Sequence, residues 1–251
     1  MKLRIALLVA VMLVADACGS GEPAAPDSIT VFAAASLTEA FTTIASDYED
    51  QNGTHVRLSF GPSDGLATQI QEGAPADVFA SASPKWMDVV EETPGVTDRA
   101  DFARNVLVVI TPGDDPAGIH SLEDLGKPGI KLVLAAEGVP VGDYAREMLG
   151  NAGIADDALA NVVSNEDDVK GVVQKVALGE ADAGIVYRTD VTAAVASDVA
   201  VVTIPDEVNV TAVYTIAALQ GTSGEGLASE FVTYVLGPGQ KVLDEASFLP
   251  P

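Results

Sequence analysis

Short apolar runs of strand length alternate with amphipathic helical stretches from Ile29 almost to the end of the chain. That alternation constrains the fold more than any other feature. A strand buried on both faces needs cover above and below, and strands joined through helices tend to pair in parallel. Residues 29–35, 56–60, 77–80, 106–110, 130–135, 183–187, 199–204 and 211–217 read as the strands. Ala40, Phe41, Ile44 and Tyr48 recur at helical spacing, as do Val169, Val172, Val173 and Val176, and Leu227, Phe231, Val232 and Val235. Further helices are expected after Ser63, over 84–92 and over 144–149. The pattern predicts α/β layers with mixed, mostly parallel sheets.

A chain of 251 residues can bury two cores. The expected crossings between them lie near 106–110 and 210–216. The first α/β domain is then discontinuous, 29–107 and 213–251, and the second is 108–212. A ligand would lie between them, near strand C-termini.

The N-terminus reads separately. Lys2 and Arg4 precede an apolar run, 5–15, that is short for a bilayer span. Ala17 then precedes Cys18, the only cysteine, so no intrachain disulfide can form. Residues 1–17 are expected to be a lipoprotein-type signal peptide, with Cys18 lipidated on the extracytoplasmic face of the cell membrane. Conventional secretion and an uncleaved segment are the alternatives. Residues 18–28, rich in Gly, Pro, Ala and Ser, read as a flexible tether.

The formal net charge of −24 argues against nucleic-acid binding through a basic surface. It also repels small anions at long range. Any anion site must therefore work through local dipoles and hydrogen bonds.

Five segments could supply such donors. Ser36 ends the first apolar run where a helix begins, and Glu39 completes a Ser-x-x-Glu capping signature. The hydroxyl could cap the helix, face an anion, or do both. Ser63 follows Gly61-Pro62 at another helix start, or sits in an ordinary turn; Asp64 beside it should face solvent or cap. Val141, between Pro140 and Gly142, could offer a backbone N–H. Val169 follows three acids, Glu166, Asp167 and Asp168, that suit a helix N-terminus whether or not a ligand binds there. Tyr187 ends a buried strand with a neutral phenol, or merely covers the core edge. Catalytic readings fare worse: His55 and His120 have no motif around them, and no nucleophile elbow, metal-spaced His/Cys set or Walker loop occurs.

Taken together, ITVFAAASLTEAF (29–41), SFGPSDGLATQIQEGAPADVFASA (59–82), KWM (85–87), VPVGDYARE (139–147), EDDVKGVVQKV (166–176) and GIVYRTDV (184–191) resemble the periplasmic molybdate-binding proteins of ABC transporters, type 2 periplasmic binding proteins. The resemblance covers nearly all of 29–249. It implies two α/β domains joined by two hinge crossings, and a monomer that captures molybdate or tungstate and passes it to a membrane permease. It implies ligand donors at Ser36, Ser63, Val141, Val169 and Tyr187, no catalytic residue, no cofactor, and no direct protein-to-metal bond. Pro62, Asp64 and Arg188 depart from the usual family pattern. Sulfate or another oxyanion, or a small organic acid, is the alternative ligand. A secreted serine hydrolase using Ser36 or Ser63 is the remote one.

Overall fold

The computed structural model describes residues 28–251. The expected signal peptide, Cys18 and all of the tether except Ser28 lie outside the described residues. The architecture is mixed α/β, as the alternation predicts, with nine strands and eight α-helices among the described residues.

Strand β1 (Ser28–Ala34) lies between β2 (His55–Gly61) and β3 (Val78–Ser81) and is parallel to both. β3 pairs antiparallel with β9 (Thr211–Leu219), and β9 with β4 (Val96–Pro112). β4 is the joint of the molecule. Its first part, from Val96 to Val106, pairs with β9; from Leu107 onward it pairs antiparallel with β7 (Ala183–Tyr187) and β8 (Val199–Thr203). Beyond β7, β5 (Leu132–Ala135) and β6 (Val162–Glu166) continue in parallel. The sheet path runs β2-β1-β3-β9-β4-β7-β5-β6. The sequence pattern marks only the buried end of β4. Its earlier part is half exposed, carries Asp98, Arg99 and Asp101, and shifts register twice, so neither a continuous apolar run nor a clean period of two survives.

The helices cover both faces. α1 (Thr38–Asn52) and α7 (Glu225–Leu236) pack Phe41, Tyr48 and Phe231 edge-to-face, with Phe102 of β4 against Phe41. α2 (Ser63–Gln71) and α3 (Pro84–Glu92) bury Leu66, Ile70, Met87 and Val90 against Phe32, Phe79 and Ala217. On β5 and β7 sit α4 (Pro140–Asn151) and α6 (Val169–Ala177), with α5 (Ala155–Ala160) beside α4; α8 (Gln240–Glu245) packs on α1. Gly184 permits the close approach of α6. A Cβ there would come within 2.7 Å of Val172 and 3.0 Å of Val176. Among the described residues, no helix is long and apolar enough to cross a membrane.

Candidate anion-binding site

The C-terminal ends of β1, β2, β5, β6 and β7 lead into one cavity. It is lined by Ser36, Ser63, Val141, Val169 and Tyr187, the five residues singled out from sequence, with Ala82 and Asp168 among their neighbours. The placement follows the general rule for α/β sheets, in which ligands sit beyond strand C-termini. Three of the five stand in the first turn of a helix, where backbone N–H groups have no intrahelical acceptor. Ser63 and Val169 are first residues of α2 and α6, and Val141 is the second of α4.

Ser36 lies in a 3-10 turn, Ala35–Leu37, between β1 and α1. The turn displaces it from the helix start, so the expected capping box does not form. α1 begins at Thr38 without a side-chain cap, and the Ser36 hydroxyl instead lies 2.8 Å from the Tyr214 hydroxyl. Glu39, the other half of the signature, pairs with Lys170 at 2.9 Å.

Pro62 delivers the chain into α2 in an extended conformation (φ −66°, ψ 139°). The buried Ser63 hydroxyl accepts from the Ala82 N–H at 3.1 Å, which leaves its own hydrogen free for the cavity. Asp64 neither caps α2 nor points wholly to solvent. One carboxylate oxygen is buried without a partner, and the other lies near Gly138, whose carbonyl accepts from Trp86 Nε1 at 2.9 Å.

Val141 is held by its surroundings. Asp143 accepts from the Gly138 N–H at 2.7 Å and pairs with Lys85 at 3.1 Å. Arg146 donates to the carbonyls of Ala135 (2.9 Å) and Gly142 (2.8 Å) and to Asn165 (2.7 Å), tying α4 to the ends of β5 and β6. Gly142 admits no side chain: a Cβ would approach the Ala135 carbonyl oxygen to 2.5 Å and that of Ala136 more closely.

Of the three acids before Val169, Asp168 is the cap, accepting from the Gly171 N–H at 3.0 Å. Glu166 instead accepts from Ser164 and pairs with Lys175 at 3.3 Å.

Tyr187 is fully enclosed, and its hydroxyl has no hydrogen-bond partner. Burial, then the neighbouring Tyr214 hydroxyl, push its pKa well above the usual tyrosine value, so it is a neutral donor. An unpartnered buried hydroxyl is costly unless something fills the space before it.

No basic side chain lines the cavity among the described residues. Arg188 turns away and donates to the Ser247 carbonyl at 2.8 Å. Lys170, next to Val169, places its ammonium on Glu39 and at 3.6 Å from Asp190. Asp190 is buried; it accepts from the Tyr187 N–H at 3.2 Å, and burial raises its pKa to about 7 against the pull of Lys170. Tyr214, Asn105, Lys170 and Asp190 were not legible as parts of the site, because their contacts join residues distant in sequence and carry no local spacing signal. Among the described residues, no cluster of His, Cys, Asp or Glu could hold a metal ion.

Residues 29–248 match the family described as bacterial extracellular solute-binding protein. The chain is 40% identical over 257 residues to the molybdate-binding protein ModA of Mycobacterium tuberculosis, covering 97% of each chain. It is 36% identical over 218 residues to ModA of Escherichia coli, covering 84% of each. Its fold is similar to that of the Azotobacter vinelandii periplasmic molybdate-binding protein, with a TM-score of 0.77 at 22% identity, covering 89% of this chain and 99% of that one. The chain belongs to the bacterial extracellular solute-binding protein family.

Proposed function

We propose that this protein captures molybdate or tungstate in the cavity and delivers it to the permease of an ABC transporter. One observation carries the reading: the cavity gathers hydroxyls and first-turn N–H groups, includes the unpartnered Tyr187 hydroxyl, and has no basic lining residue among those described. Such a lining suits a fully ionised tetrahedral oxyanion, which accepts hydrogen bonds and has none to donate. The Ser36, Ser63 and Tyr187 hydroxyls and the Val141 and Val169 N–H groups would hold its oxygens, and the metal would make no direct bond to protein. Each charge-assisted bond contributes about 1.5–3 kcal/mol. Together they offset the repulsion of a chain with net charge −24.

Binding is coupled to closure of two domains, 29–107 with 213–251 against 108–212, about β4 and β9. The chain acts as a monomer on the extracytoplasmic face of the membrane, held there by lipid on Cys18. It performs no chemistry on its cargo. Calorimetric titration with molybdate, tungstate, sulfate and phosphate at low salt tests the ligand. Saturable heat with the first two is expected; none, or a preference for sulfate, would overturn the assignment.

A further inference from the structure

A serine hydroxyl carries one hydrogen and rotates freely, so it serves an oxyanion only if that hydrogen points at the ligand. At Ser63 the Ala82 N–H occupies the hydroxyl oxygen and settles the matter. At Ser36 the neighbour is another hydroxyl, Tyr214, 2.8 Å away, and either oxygen could donate. The direction is decided one step further back. Asn105 is fully buried, and its side-chain oxygen accepts from the Val106 N–H at 3.0 Å, which fixes the amide orientation. Its NH₂ group then faces Thr189 Oγ1 at 2.8 Å and the Tyr214 hydroxyl at 3.5 Å.

The Tyr214 oxygen thus faces a donor on one side. Its own hydrogen goes to the acceptor on the other, Ser36 Oγ. Burial keeps Tyr214 protonated, so it has that hydrogen to give. Its ring is held edge-to-face by Phe102, Tyr187 and Phe248, with centroids 6.2, 5.8 and 5.4 Å away. We propose that Tyr214, braced by Asn105, is a positioning residue that occupies the Ser36 hydroxyl oxygen and turns the Ser36 hydrogen toward the bound oxyanion. The inference rests on the oxyanion reading above.

A double-mutant cycle tests it, with molybdate affinity measured by calorimetry on the parent protein, Ser36→Ala, Tyr214→Phe and the double variant. Phenylalanine keeps the ring contacts and removes only the oxygen. Tyr214→Phe is expected to weaken molybdate binding about tenfold. In the Ser36→Ala background the same change is expected to alter affinity by less than about twofold. A general packing defect would instead weaken both backgrounds alike. Equal losses in both backgrounds, or no loss in the parent background, would overturn the relay while leaving the oxyanion site standing. If the parent binds no molybdate, the oxyanion reading falls and takes the relay with it. Should Tyr214→Phe not fold, as judged by its thermal transition without ligand, Asn105→Leu enters the same cycle with the same expectations.

Discussion

The ammonium of Lys170 lies 2.9 Å from the Glu39 carboxylate and so joins α6, which begins at Val169, to α1, which follows Ser36. Two helix starts that flank the cavity are tied together by one ion pair. The same ammonium lies 3.6 Å from the buried Asp190, whose other oxygen holds the Tyr187 backbone.

The two partners of Lys170 differ in burial, and that difference sets their energetic weight. Glu39 is half exposed, so Glu39→Gln should change stability by less than about 1 kcal/mol. Lys170→Met leaves the Asp190 carboxylate buried without its cation. A loss of about 1–3 kcal/mol is expected at pH 8, shrinking at pH 5 where Asp190 is protonated. Urea unfolding of both variants at the two pH values reads this. Equal losses for the two variants would contradict it.

Burial raises the Asp190 pKa from 3.8 to about 7 in the folded protein. Between those values the folded state holds a proton that the unfolded chain has released. Raising the pH through that window therefore favours unfolding, by on the order of 4 kcal/mol from this group. Asp190→Asn removes the titration and keeps an oxygen for the Tyr187 N–H. Its stability, relative to the parent, is expected to rise steadily from pH 4 to 7. A constant difference across that range would refute the assignment.

Tyr187→Phe deletes a buried hydroxyl that has no partner without ligand. The ligand-free variant should be as stable as the parent or more stable, by up to about 1 kcal/mol. Molybdate binding should weaken by about 1–3 kcal/mol. Thermal unfolding with and without molybdate separates the two effects. A less stable variant with an undiminished ligand-induced shift would mean that the hydroxyl is structural.

Gly142→Ala places a Cβ against the carbonyls of Ala135 and Ala136, which are backbone and cannot rotate aside. The start of α4 must shift, and Val141 with it. Destabilisation of about 3 kcal/mol and loss of molybdate binding are expected. Gly150→Ala, in the same helix with open space around it, should change neither and serves as the control.

Local sequence carried most of the fold and the positions of the donors, for physical reasons. Ser36 and Tyr187 stand where a buried strand ends, and Ser36, Ser63, Val141 and Val169 stand within two residues of a helix start, both local features. The geometry around them was not local. Ser-x-x-Glu fits a capping box, yet a 3-10 turn intervenes and the hydroxyl meets Tyr214, 178 residues later. Lys170 finds Glu39 across 131 residues. Partners brought together only by the folded sheets leave no spacing to read. β6 and α8 escaped for a different reason: the first is a partly exposed edge strand and the second a six-residue helix, too short for a periodic face.

The most direct test of the site is a crystal structure of the protein grown with tungstate, whose anomalous scattering marks the metal. The tungsten peak is expected in the cavity between β1, β2, β5, β6 and β7. Its oxygens should lie within about 2.6–3.2 Å of the Ser36, Ser63 and Tyr187 hydroxyls and the Val141 and Val169 nitrogens. A peak elsewhere, or an anion held by Arg188 or another cationic side chain, would contradict a cage of neutral donors.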